Sequence, residues 1–195
     1  MEGDDAMSPS THPHRLTYDD FLRFPDDGNR HELIDGEHVV TPPPNMRHQE
    51  LLGRLHIALA TYLATRRHLG RVFLSPFDVI FTMYDVVAPD LLFIAGDQLH
   101  ILAKQNVQGA PALVVEILSP GTRRKDEQLK RQLFERGGVR EYWLVDPDHD
   151  SIRVFRRDED GEFPMTADLT QPADILTTTL LPDFSLPLAE LFADA

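Results

Sequence analysis

The sequence predicts an α/β (α+β) fold, a mixed central sheet flanked by helices with added hairpins. Three observations carry that expectation. Residues 86–94 and 112–118 are short apolar runs rich in branched side chains, the composition of buried strands. Residues 45–68 instead keep apolar positions three or four apart, as one helix face packed on a sheet does. From residue 45 onward the order reads helix, strand, strand, strand, helix, strand, an arrangement that gathers sites at strand ends.

The elements follow in chain order. Residues 1–15 are polar, with Ser-Pro-Ser and His-Pro-His, and read as a disordered tail ahead of one domain over 16–195. Thr17 caps a short helix carrying Phe21, Leu22 and Phe24. Strands at 31–34 and 37–40 flank Asp35-Gly36, a two-residue hairpin signal. Pro42, Pro43 and Pro44 break the pattern before the long helix, whose stripe is Leu51, Leu52, Leu55, Leu59, Tyr62 and Leu63. Gly70 ends that helix, strands follow at 71–82 and 86–94, and residues 97–105 read as one or two helical turns. The strand at 112–118 leads through Ser119-Pro120-Gly121 into a helix over 122–136, stopped by Gly137-Gly138. Residues 141–146 form a strand ending at Pro147, and 151–156 a further hairpin strand. The remainder alternates acidic turns with short apolar pieces.

The composition excludes several classes. A chain of 195 residues with 42% hydrophobic content suits one soluble domain. With no cysteine there is neither a disulfide nor a thiolate metal site. No apolar stretch approaches the ~18–20 residues that span a membrane. The acidic start, Met-Glu-Gly-Asp-Asp, is unlike a secretory signal, so the expected location is cytoplasmic. The net charge of −13 is unevenly placed: residues 28–145 carry 14 Lys/Arg against 13 Asp/Glu, and the acid sits in the flanks. Binding to a polyanion is therefore permitted by the segment that holds the candidate site.

That site begins with two acids inside apolar runs, Asp90 and Glu116. An ionised carboxylate there costs several kcal/mol unless a cation or hydrogen bonds compensate it. Two of them, 26 residues apart on neighbouring strands, suggest a shared divalent cation. Hard carboxylate oxygens suit Mg²⁺ or Mn²⁺, which polarise a phosphoryl oxygen and acidify a water. The following helix offers two lysines. At about 100° per residue from Leu129, Leu133 falls near about 40°, Asp126 near about 60°, Lys130 near about 100°, Arg123 near about 120° and Phe134 near about 140°. Lys125 falls near about −40°, outside the sector bounded by the core-facing Leu and Phe. Lys130 is therefore the candidate to orient a nucleophile or stabilise transition-state charge, and Lys125 is expected at the surface.

Pro89-Asp90 followed by Glu116 on the next strand resembles the PD-(D/E)xK nuclease superfamily. The wider run resembles its Uma-two branch of restriction-endonuclease-like proteins. The matching pieces are Glu32-Leu-Ile-Asp-Gly36, Arg47-His-Gln49, Pro89-Asp90-Leu91, Val115-Glu-Ile-Leu-Ser-Pro120, Arg123-Arg-Lys-Asp126, Lys130-Arg131 and Gly138-Val-Arg-Glu-Tyr-Trp-Leu-Val-Asp-Pro147. They run in one order through most of the chain. The resemblance implies a restriction-endonuclease-like core and a metal-dependent endonuclease acting on phosphodiester bonds, with Asp90 and Glu116 as metal ligands and Lys130 as the catalytic lysine. Glu32, at a family position, would assist. Two departures stand out. Leu118 occupies the position where the superfamily motif has lysine, and Phe134 the position where the branch commonly has tyrosine.

Other expectations are local. Arg123 and Arg124 are candidates to track a phosphate backbone, and His48 to meet a phosphate or Glu32. The expected partner is DNA, or RNA, without a membrane. A nuclease of this size cutting both strands needs two sites, so a homodimer is expected. Two rival readings stay open: a catalytically silent nuclease fold binding DNA or protein, and a metal-dependent hydrolase of a small phosphorylated substrate.

Overall fold

Thr17 and Asp20 close the first turn of the described chain on each other. Asp20 Oδ2 accepts hydrogen bonds from Thr17 N at 2.9 Å and Thr17 Oγ1 at 2.8 Å, fixing α1 (Tyr18–Phe21). The computed structural model describes residues 15–121 and 123–193. All of the expected disordered tail except Arg15 therefore lies outside the described residues. Arg15 pairs with Asp35 and lays its guanidinium 4.2 Å from the Tyr84 ring centroid.

The hairpin forms as expected from β1 (Arg30–Ile34) and β2 (Glu37–Thr41), with Asp35 and Gly36 both left-handed at φ 55° and 77°. Asn45 caps α2 (Met46–Ala64) by accepting from His48 N at 2.9 Å, and Leu51, Leu52, Leu55, Leu59 and Leu63 form its buried stripe. This helix is shorter than the expected 45–68, because its continuation tightens into a 3₁₀ turn, Arg67–Leu69. Gly70 follows at φ 144°, where a Cβ would lie 2.2 Å from the Ile94 carbonyl oxygen, so the turn needs glycine.

The two long strands expected after Gly70 are four: β3 (Gly70–Leu74), β4 (Asp78–Thr82), β5 (Asp85–Val87) and β6 (Leu91–Ala95). Pro76 and Pro89 divide them, having no N–H to give a ladder. Each division sends the halves to different sheets, β3 and β6 to one, β4 and β5 to the other. A 3₁₀ segment, Gly96–Ile101, precedes β7 (Asn106–Gln108) and β8 (Leu113–Ile117). The expected helix is a π-helical stretch, Lys125–Lys130, continued by α3 (Arg131–Gly137) and stopped at Gly138 with φ 90°. There follow β9 (Glu141–Asp146), β10 (Ser151–Arg156), β11 (Met165–Leu169), β12 (Ile175–Thr177), β13 (Ser185–Pro187) and α4 (Leu188–Leu191).

The central sheet is mixed, in the order β11-β10-β9-β8-β6-β3, with β8 and β9 parallel and its other pairs antiparallel. A second sheet runs β2-β1-β5-β4-β7, and β12 pairs with β13. On one face of the central sheet Phe93, Val115 and Trp143 pack against Leu55 and Leu59 of α2 and the C-terminal segment. On the other, Leu92, Val114 and Tyr142 pack with Val79 and Phe134. Burial on both faces explains why β6, β8 and β9 read as nearly unbroken apolar runs. Among the described residues no helix is long and apolar enough to cross a membrane.

Candidate active site

Sheet register brings the two acids together. In the antiparallel β6–β8 ladder Leu91 faces Val115, so one step further Asp90 faces Glu116. Asp90 ends the Ala88-Pro89-Asp90 passage that carries the chain from the second sheet into the central one. Beside that passage lies β1, paired with β5 at Leu33 and Val86. Alternate residues of a strand share a face, so Arg30 and Glu32 both point to the crossing. The π-helical stretch adds Asp126 and Lys130, and the first turn of α2 adds His48.

Every one of these side chains is buried except Arg30, which is half-buried. Asp90 Oδ2 accepts from Ile117 N at 2.8 Å and pairs with His48 Nε2 at 3.0 Å, while Asp90 Oδ1 accepts from Arg30 Nη1 at 2.7 Å. Lys130 Nζ lies 2.8 Å from Glu116 Oε1, 3.0 Å from Glu32 Oε1 and 3.5 Å from Asp126 Oδ1. Glu32 Oε1 also accepts from Ala88 N at 3.1 Å. Arg30 sits 4.0 Å from Glu116 Oε2 and 3.9 Å from Glu32 Oε1, so one guanidinium touches the fields of three acids.

Charge sets the protonation states. Burial alone would raise the Asp90 carboxyl, but the His48 hydrogen bond and the Arg30 charge hold it below the usual carboxylate range. Burial pushes the Glu116 carboxyl well above its usual range; Lys130 pulls it back, while Asp90 and Asp126 add to the push. Lys130 is disfavoured as a cation by burial, yet Glu116, Glu32 and Asp126 outweigh this and raise its pKa, keeping it protonated. With every carboxyl ionised, four carboxylates would face two full cations, and the raised Glu116 carboxyl is where that surplus of negative charge is relieved by a proton.

The donor set fits a divalent cation. Oε2 of Glu116 and Oε2 of Glu32 are buried oxygens without a hydrogen-bond partner, and orphaned carboxylate oxygens of this kind are costly. Among the described residues no group of three or more His, Cys, Asp or Glu side chains forms a ready cation cage. Mg²⁺ commonly takes one or two carboxylates and fills its other positions with water and substrate, so a pair of carboxylates from this cluster would be enough for it. Asp90, His48 and Arg30 line a cleft of about 950 Å³, with Phe24 and Pro43 on its walls.

The structure sorts the remaining expected residues. Arg123 pairs bidentately with Asp146 at 2.6 and 2.9 Å and reaches Asp148 at 3.0 Å, outside the acid cluster. Arg124 is exposed. His48 meets Asp90 rather than Glu32. Lys125 donates to the Val40 carbonyl at 3.3 Å on the hairpin, away from the buried acids, while Lys130 is inside. Leu133 and Phe134, which bound the sector, are both buried with Asp126 and Lys130, while Leu129, the zero mark of the wheel, is 42% exposed. The i→i+5 bonding of the π stretch widens the turn, so a 100° step per residue loses phase. Leu118, where the superfamily motif has lysine, is buried in the core, and Phe134 packs edge-on against Tyr142 at 5.0 Å. Sequence reasoning missed Arg30. Its signal was available: it lies two residues before Glu32 on the same strand face.

Residues 18–189 match the family described as Uma2, "Putative restriction endonuclease". The chain belongs to that family. The crystal structure of "a putative nuclease belonging to DUF820" from Anabaena variabilis ATCC 29413 is similar in fold, with a TM-score of 0.76 at 20% identity over 91% of this chain and 98% of that one. No curated protein matches. The Uma2 fold here is thus a mixed sheet between helices, with the acid cluster at the seam of two sheets.

Proposed function

We propose that this Uma2 protein is a nuclease that hydrolyses phosphodiester bonds in DNA, using Mg²⁺ or Mn²⁺ held by Asp90 and Glu116. The observation that carries the reading is the cluster of four acidic side chains and two cations, short of positive charge once the acids ionise and opening on a cleft at Asp90. The divalent ion supplies Lewis acidity toward a phosphoryl oxygen and toward a water. Ile117 N and His48 fix the orientation of Asp90. Lys130 stays protonated and holds Glu116 and Glu32, so it serves as a fixed positive charge near the reacting phosphate rather than as a base. Cutting both strands requires a second site, so we expect a homodimer; a monomer by light scattering at micromolar concentration would remove that part.

The test is cleavage of duplex DNA, single-stranded DNA and RNA with Mn²⁺ or Mg²⁺, with and without a chelator. Cleavage should be lost with chelator and return with metal. Asp90→Asn, which keeps volume but loses the anionic oxygen, should abolish both turnover and metal affinity. A protein that binds Mn²⁺ yet hydrolyses no nucleic acid would instead be a silent nuclease fold. One observation favours a second reading, hydrolysis of a small phosphorylated compound: the cleft lining has Arg30 as its one Lys or Arg against Asp26, Asp78 and Asp90. Comparing oligonucleotides of decreasing length with a mononucleotide separates the two.

A further inference from the structure

Arg30 stands between the cleft and the buried acids. Its side chain is 19% exposed and lines the cleft, whereas Glu32, Glu116 and Lys130 lie behind it, at most 1% exposed. It is held unevenly. Nη1 donates to Asp90 Oδ1 at 2.7 Å and to the Ala88 carbonyl at 3.1 Å. Nη2 comes no nearer to Glu116 Oε2 than 4.0 Å, and the buried Nε has no hydrogen-bond partner. A guanidinium is a planar fork suited to bidentate pairing with a carboxylate or phosphate, and here one prong of the fork is used. Arg123, by contrast, spends both prongs on Asp146. Arg30 is thus kept in place chiefly by the surplus negative charge around it.

A divalent ion shared by Asp90 and Glu116 would need the same oxygens that Arg30 faces, and two cations cannot crowd there without strong repulsion. The cleft supplies the alternative position, since among the described residues no other lysine or arginine lines it. Building on the metal-dependent reading above, we infer that Arg30 is the cluster's exchangeable counter-cation: it releases Asp90 when a divalent ion is taken up and turns into the cleft, where it pairs with the substrate phosphate. Arg30 thereby couples loading of the site with metal to recognition of the substrate.

The test compares full-length wild type with Arg30→Gln by Mn²⁺ titration calorimetry, together with binding of a short single-stranded DNA oligonucleotide in Ca²⁺. Removing the competing cation should tighten Mn²⁺ binding by about tenfold or more, the scale of one charge-assisted hydrogen bond no longer having to be broken. The same change should weaken oligonucleotide binding. An arginine that merely scaffolds the cluster would leave Mn²⁺ affinity unchanged or reduce it, and either result overturns the inference. If Arg30→Gln fails to fold, Mg²⁺ titration of the wild type followed by NMR of the arginine Nε–H groups decides instead, with Arg30→Lys supplying the assignment. The Arg30 signal should move as Mg²⁺ saturates; a fixed signal at saturation overturns the idea. Cleavage with unchanged Mn²⁺ affinity in Arg30→Gln would sink the inference alone. Tighter Mn²⁺ binding without hydrolysis of any nucleic acid would sink the nuclease reading alone.

Discussion

Replacing Lys130 with methionine keeps an unbranched four-atom stem and deletes the ammonium at the centre of the acid cluster. Glu116, Glu32 and Asp126, all within 3.5 Å of that ammonium and all buried, would be left with Arg30 as the one full cation nearby. Removing one member of a buried ion pair costs about 3–5 kcal/mol, because the survivor stays desolvated and uncompensated. In a chain of this length each kcal/mol moves the midpoint by about 2–4 °C, so Tm should fall by about 6–20 °C. The assay is thermal unfolding by circular dichroism in chelator. Adding Glu116→Gln to Lys130→Met removes one of the stranded charges, and the double variant should regain about 1 kcal/mol or more. The loss should also shrink in acid, since Glu116 takes up a proton readily. A Lys130→Met protein within about 1 kcal/mol of wild type, or a double variant less stable than the single one, would refute the claim that the ammonium holds this cluster together.

Metal affinity should depend on pH through Glu116. Its carboxyl is raised, so a proton must leave before it can act as a ligand; calorimetric Mn²⁺ affinity should climb as pH rises above the ordinary carboxylate range, and Glu116→Gln should flatten the climb. Without metal the sign reverses. The folded protein holds that proton more tightly than the unfolded chain, so the Glu116 contribution to stability is full below its ordinary value of 4.5 and drains away as pH rises through the folded value. Arg123→Ala should cost about 1–3 kcal/mol by chemical denaturation, through loss of the bidentate pair with Asp146, and leave Mn²⁺ affinity unchanged. A stable Arg123→Ala protein that binds oligonucleotide poorly would show that Arg123 serves phosphate contact instead.

The legible parts of the fold were those governed by local pattern. Asp35-Gly36 announced its hairpin, the leucine stripe announced α2, and the branched runs announced β6, β8 and β9. The expected strands at 71–82 and 86–94 ran through Pro76 and Pro89, where the chain in fact divides, and the parting of the halves into two sheets depends on tertiary pairing that no local run encodes. In the site, Asp90 and Glu116 stood out because buried apolar runs seldom tolerate carboxylates, whereas Glu32, in a hairpin strand opened by Arg30 and His31, was reached through the family resemblance alone. Lys130 was reached by a wheel that assumed α geometry, and the three acids that hold its ammonium come from elements that wheel could not include or, for Asp126, from one turn earlier. Arg30 was passed over because an arginine at the start of a hairpin strand resembles ordinary surface charge, although it shares a strand face with Glu32. Only the approach of β1 to the β5–β6 passage gives it partners.

The balance of charge inside the cluster also limits how such a protein can change over generations. The Lys130 ammonium cannot be exchanged singly without stranding three acids, so substitutions there are penalised whether or not hydrolysis matters to the host. A lineage that gives up the chemistry is expected to follow one of two courses: to carry the full set unchanged as part of its core, or to trade the whole set for apolar residues of similar size. Intermediate sets should be scarce among relatives, a pattern that counting the residues at these positions across the family can check.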